Sequence, residues 1–133
     1  MTQAILGASA CVWYAGKVLL IRRGKEPGKG LWSLPGGKIE PHESAKDAAH
    51  RELSEETQTT ANLLHAMGPY DVRRDGAVIY SITCFAGQYV SGEATASSDA
   101  AEVAWVYPQA LEGLKLAPNI AQAIADAAKL LKL

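Results

Sequence analysis

The run Ser44–Thr57, SAKDAAHRELSEET, restricts the fold more than any other stretch of this chain. Ser44 with Asp47 three residues on resembles a capping box, the shorter acid standing in for Glu, so a helix is predicted to open near Ser44 and end near Thr57. At roughly 100° per residue, Ala45, Ala49, Glu52 and Glu56 share one side, with Ala48, Leu53 and Glu55 at its edges. Lys46, Asp47, His50 and Ser54 point the other way. The alanines and Leu53 mark the first side as facing the protein, and two glutamates lie within it. An inward carboxylate is costly unless a cation meets it. A local rule broken in this way is where function is expected.

The cation need not be a side chain. Glu52 and Glu56 lie one turn apart with Glu55 beside both, so three carboxylates can converge on one spot. Hard oxygen ligands at that density suit Mg²⁺ or Mn²⁺, which keep several waters and accept phosphate oxygens as further ligands. On spacing alone, a solvated acidic face with Arg51 and Glu55 as an ordinary i,i+4 pair is an equal reading.

Gly37, five residues, Glu43, seven residues, then Arg51-Glu52-Leu53-Ser54-Glu55-Glu56 resembles the Nudix box of the Nudix hydrolases, here spanning residues 37–59. The resemblance implies Mg²⁺-dependent hydrolysis, with Mn²⁺ as the alternative ion, of a nucleoside diphosphate linked to another moiety. It implies Glu52, Glu55 and Glu56 as metal ligands, the Gly37 carbonyl as a further one, and Arg51 orienting the glutamates. Two positions depart from the box. Gln58 stands where the family has a glycine and Thr59 where it has an aliphatic residue. That glycine closes the helix in the left-handed region, where Gln costs roughly 1 kcal/mol.

With 133 residues the chain is read as one domain, 1–133, long enough to bury a core. A net charge of −1 argues against coating a nucleic-acid polymer. Cys11 and Cys84 lie in apolar strand-like runs and read as buried reduced thiols. The run Ala4–Tyr14 has no Lys or Arg before it and breaks into a strand–turn–strand pattern, so it is not read as a secretion signal. No stretch reaches the ~20 apolar residues of a membrane span. A cytoplasmic monomer or homodimer is expected.

Ile5–Tyr14 and Val18–Arg23 read as a hairpin around Ala15-Gly16. Arg22 and Arg23 face opposite ways, so one should point toward the box and grip a phosphate. Gly24–Gly30 is a basic loop whose Lys25 or Lys29 can reach a polyphosphate; its spacing is one residue short of a P-loop and no Ser or Thr follows Lys29. Leu31–Gly37 leads into the box, with Trp32 as packing and two glycines that admit a metal or phosphate near the backbone. Glu43 is expected to anchor this loop to the helix. His42, His50 and His65 have no zinc spacing. Ala61–Met67 and Tyr70–Arg74 read as two strands, Asp75-Gly76 as a turn, Ala77–Val90 as a long strand, Ser91–Ala100 as a loop and Glu102–Tyr107 as the last strand. Arg73 joins the substrate-binding candidates. After a short turn or helix from Pro108, Pro118 or Asn119 opens a final helix whose stripe is Ile120, Ala123, Ile124, Ala127, Leu130 and Leu131.

Hydrolysis needs an activated water, and a carboxylate within reach can take its proton. Nudix relatives often carry a further acid in the loop before a strand containing Trp. Trp105 resembles that Trp, which nominates Asp99 and Glu102, with Glu52 as the rival base. Asn119 reads as an N-cap, although in the branch that cleaves oxidised guanine nucleotides an Asn near this helix start reads the base. The fold class is α+β, an α/β/α sandwich on a central mixed sheet. RRGKEPGKGLWSLPGG and SSDAAEVAWV look most like the small bacterial ADP-ribose pyrophosphatase-like members, but the proline of many such enzymes is absent near Arg74 and Asp75. ADP-ribose or a related nucleotide sugar is the expected substrate. Nucleoside triphosphates are the alternative, and a non-catalytic nucleotide-sensing module is the alternative of another class.

Overall fold

A computed structural model describes residues 3–133. Ile5–Tyr14 (β1) and Lys17–Arg23 (β2) form the expected antiparallel hairpin, with Ala15 and Gly16 at positive φ in the turn. β1 and β2 pair only at their turn end and then splay apart. The segment between them fills the gap. Trp32–Ser33 (β3) pairs with β2 and Gly36–Lys38 (β4) pairs with β1, while the Ala10 N–H donates to Pro35 O at 2.9 Å. The sequence pattern marks no strand in this segment. Two- and three-residue strands have no period to read, and only their neighbours make them strands. The fit is tight: a Cβ at Gly36 would stand 2.5 Å from Ala8 O and 2.7 Å from Ser9 Cβ.

The remaining strands are Thr60–Arg74 (β5), Ala77–Ser91 (β6) and Ala100–Val106 (β7). The sheet order is β3-β2-β1-β6-β5, with β4 on β1 and β7 on β2. β1 and β6 run parallel and the other pairs antiparallel, so the sheet is mixed as expected. β5 corrects the expectation of two separate strands. Gly68-Pro69 reads as a break, but β5 lies at the sheet edge and a register shift between Met67 and Tyr70 absorbs the proline.

Two helices cover the two faces. Ala45–Thr57 (α1) packs Ala48, Ala49 and Leu53 on Ala8, Ala10, Val12 and Leu19. Ile120–Leu130 (α2) packs Ala123, Ile124 and Ala127 on Cys11, Trp13, Val18, Leu20 and Cys84. Each face takes alternate residues of the strands, so even positions of β1 and odd positions of β2 face α1. The apolar run Gly7–Trp13 is buried throughout because both faces are covered.

α2 is tied to β5 by Tyr70 Oη donating to Asp126 at 2.5 Å and Asn119 Nδ2 donating to Asp71 O at 2.8 Å. Asn119 does occupy the N-cap position, but at φ 70° its side chain turns away from the helix and makes no cap bond. Leu130 is half exposed and not part of the buried stripe. A short 3-10 helix, Pro108–Gly113, precedes it. Cys11 and Cys84 are buried free thiols, and burial pushes the Cys84 thiol up to about 11. Among the described residues no helix is long and apolar enough to cross a membrane.

Candidate active site

α1 begins as its sequence dictates: the Ser44 hydroxyl accepts from the Asp47 N–H at 3.0 Å. This fixes where the helix starts. Ala48, Ala49 and Leu53 then lie on the sheet and bring Glu52 and Glu56 against β4. A Cβ at Gly37 would stand 2.7 Å from the Glu52 carboxyl carbon, so glycine there is what lets the helix carboxylate approach the strand.

Glu56 is the most unusual group in the chain. Its residue exposure is 4%, and its Oε1 is buried with no hydrogen-bond partner. Burial, then contact with Glu52 and the Glu52 charge, push its carboxyl well above the ordinary carboxylate range. The Gly36 N–H and the Arg23 charge offset this in part. An orphaned carboxylate oxygen beside a second carboxylate is what a divalent cation would satisfy, and the all-oxygen donor set suits a hard ion. The residues present therefore fit such an ion, with Glu52 and Glu56 as its holders.

Arg51 organises the rest. It donates to both oxygens of Glu43 (Nη2–Oε1 2.7 Å, Nε–Oε2 3.1 Å), to Glu52 Oε1 at 2.8 Å, to Glu55 Oε1 at 3.2 Å and to Lys38 O at 3.1 Å. Glu43 also accepts from the Glu40 N–H at 2.8 Å, so it anchors the loop to the helix. Arg51 holds the Glu43 carboxyl below its ordinary value, and Glu43, with Glu55 and Glu52, raises the guanidinium. One consequence differs from the expected convergence of three carboxylates. Glu55 shares Arg51 Nη1 with Glu52 and stays half exposed while Glu56 is buried, and among the described residues no three acidic, histidine or cysteine side chains close on one point. The Gly37 carbonyl oxygen lies 3.0 Å from where a Cβ of Gly7 on β1 would stand.

The two arginines ending β2 separate as alternation demands. Arg23 lies on the α1 side, where its charge acts on Glu56, and its Nε donates to Pro27 O at 2.7 Å. Arg22 faces the other way and forms a 2.6 Å ion pair with Glu102, its register partner on β7. That places Glu102 across the sheet from Glu52 and Glu56. The signal was in the sequence: Glu102 is three residues from Trp105, an odd offset, and Trp105 packs on the α1 side with Tyr14 and Tyr89. Asp99 is exposed and pairs with Lys25 at 3.0 Å, joining the loop before β7 to the basic loop after β2. The Lys29 backbone N–H is held by Glu26 at 3.0 Å. Arg73 bonds back to Gly76 O of its own hairpin, and Asn119 lies with α2 on the far face.

Residues 5–127 match the family model of the NUDIX domain. The chain belongs to the Nudix family. A Bacillus subtilis (strain 168) protein named "Putative 8-oxo-dGTP diphosphatase" is 36% identical over 83% of the chain and 70% of its own length. A Methanocaldococcus jannaschii protein named ADP-ribose pyrophosphatase is 37% identical over 65% of the chain, and the match spans 52% of that relative. A solved Nudix hydrolase from Nitrosomonas europaea has a TM-score of 0.80 at 24% identity, covering 96% of this chain and 90% of its own, which shows the shared fold. As a Nudix hydrolase the chain acts on phosphoric anhydride bonds.

The sequence departures from the Nudix box have a structural account. Gln58 ends α1 at φ 58°, ψ 32°, the left-handed conformation that the family's glycine adopts without strain. Thr59 is buried, and its hydroxyl is matched by that of Thr57 at 2.7 Å, which also meets Leu53 O at 2.6 Å. Sequence reasoning missed Ser97, whose N–H donates to Glu56 O and whose hydroxyl donates to Glu55 O.

Proposed function

We propose that the chain is a divalent-metal pyrophosphohydrolase that cleaves the diphosphate linkage of a nucleoside diphosphate derivative, ADP-ribose or a related nucleotide sugar. The observation that carries this reading is the buried Glu56 carboxyl, unpartnered at Oε1 and pressed against Glu52. Mg²⁺ or Mn²⁺, when bound, would neutralise the diphosphate and lower the pKa of the attacking water. Glu52 and Glu56 hold the ion. Arg51 keeps Glu52 aimed, and Arg23, on the same side of the sheet, meets the outer phosphate. Glu55, held by Arg51 and half exposed, and Glu52 are the carboxylates nearest to hand as proton acceptors. Asp99 joins them if the Lys25 pair opens, because an exposed ion pair costs little to break.

The relative named an ADP-ribose pyrophosphatase supports the nucleotide-sugar substrate. A second reading, hydrolysis of nucleoside triphosphates to the monophosphate and pyrophosphate, draws on the relative named for 8-oxo-dGTP, which matches more of the chain. A panel of nucleotides assayed with Mg²⁺ in ¹⁸O-water separates them by catalytic efficiency and by the bond cleaved. ADP-ribose or a nucleotide sugar ranking first supports the proposal. Triphosphates ranking first reverses the substrate, and tight nucleotide binding without turnover in either ion overturns the enzymatic reading.

A further inference from the structure

The last carbonyls of a helix need partners outside it. α1 ends without a glycine, and the residues whose carbonyls are left over include Glu55 and Glu56. The loop between β6 and β7 supplies those partners in sequence. The Thr95 N–H donates to Thr57 O at 2.9 Å, and the Ser97 N–H donates to Glu56 O at 3.1 Å. The Ser97 hydroxyl donates to Glu55 O. Gly92, at φ 97°, lets the loop pass so close that a Cβ there would collide with the Gln58 carbonyl. Two residues beyond Ser97 the same loop reaches Asp99, whose carbonyl accepts from the Gly24 N–H at 2.9 Å and whose carboxylate meets Lys25.

We infer that Ser97 is a positioning residue for the acidic site, setting the backbone at Glu55 and Glu56 and fixing their distance from the Asp99–Lys25 pair. This rests on the reading of Glu52 and Glu56 as the metal-facing pair. Ser97 touches no reacting atom; it acts through the main chain of the two glutamates. Among the described residues outside α1, Ser97 alone bonds both carbonyls, and with Thr95 on Thr57 O it couples the loop to the helix end. Because Ser97 bonds main-chain carbonyls and not the carboxylates, its hydroxyl is worth one hydrogen bond, about 10-fold or less.

The test compares wild type with Ser97→Ala and Ser97→Thr. Three quantities are measured: melting temperature, Mn²⁺ affinity in the absence of nucleotide from the free-ion paramagnetic resonance signal, and kcat and KM on the best nucleotide of the panel. Ser97→Ala removes the hydroxyl bond to Glu55 O and keeps the N–H bond to Glu56 O. Through the Glu55 main chain it is expected to weaken Mn²⁺ binding and lower kcat by about 3- to 10-fold each, with KM within about 2-fold and Ser97→Thr near wild type. Unchanged Mn²⁺ affinity in Ser97→Ala overturns the inference. So does a loss that Ser97→Thr does not restore, or one that merely follows a collapse in melting temperature. If wild type cleaves no nucleotide the proposed function fails, and the Mn²⁺ titration still decides the role of Ser97.

Discussion

Thr57 and Thr59 hold a buried hydroxyl pair at the exit of α1, 2.7 Å apart, and Thr57 also reaches Leu53 O. With Thr57 donating to Leu53 O, the Thr59 hydroxyl donates to Thr57. Removing Thr57's hydroxyl with Thr57→Val therefore strands a buried donor, at a cost of about 1–3 kcal/mol. Thr59→Val leaves Thr57 bonded and should cost less than about 1 kcal/mol. The double variant should be more stable than Thr57→Val alone, since no donor is left behind. Urea denaturation of the four proteins measures the cycle, and additive costs would refute the pairing.

Gln58 sits in a conformation that glycine adopts freely. Gln58→Gly is expected to raise stability by up to about 1 kcal/mol. Its melting temperature checks this, and a decrease would mean that the Gln58 side chain contributes more than its backbone costs.

Arg22 and Arg23 are neighbours in sequence on opposite faces of the sheet. Arg23→Ala should raise KM for a diphosphate substrate by about 10- to 100-fold, the loss of one charge-assisted hydrogen bond. Arg22→Ala should leave KM within about 2-fold and cost less than about 1 kcal/mol, because its pair with Glu102 is exposed. Steady-state kinetics on both variants decide the assignment. The reverse ranking would put the phosphates on the other face.

Glu56→Gln keeps the volume and removes the charge. Turnover should fall by about two orders of magnitude or more, as loss of a group holding several kcal/mol of transition-state stabilisation implies. Stability in the metal-free protein should hold or rise, because a buried carboxyl with an unpartnered oxygen is replaced by a neutral amide that can donate to Glu52. Wild-type rates in this variant would contradict the role proposed for Glu56.

The parts of this molecule that local chemistry determines were legible in its sequence. Ser44 caps α1, the alanines set its rotation, and from those two facts Glu52 and Glu56 had to face inward. The β1–β2 and β5–β6 hairpins follow from their turns. What local chemistry leaves open was not legible. β3 and β4 exist only because β1 and β2 part to receive them, and no period marks a strand of two or three residues. Alternation says that Arg22 and Arg23 diverge but not which one meets α1, since that depends on which face the helix covers. Glu55 was expected beside its neighbours; it shares Arg51 with Glu52 but stays half exposed while Glu56 is buried. Ser97 looked like one small polar residue among several, and its value depends on which helix carbonyls it meets.

The threaded segment Trp32–Lys38 has a consequence for how such a scaffold can diversify. Trp32 borders the α2 core while Gly37 lies under the Glu52 carboxylate, and only a few peptide units join the two. Any bulk inserted there to reshape one wall would be transmitted straight to the reacting end. Change is easier to absorb at exposed rim positions such as Lys29 and Lys115, whose side chains belong to neither wall.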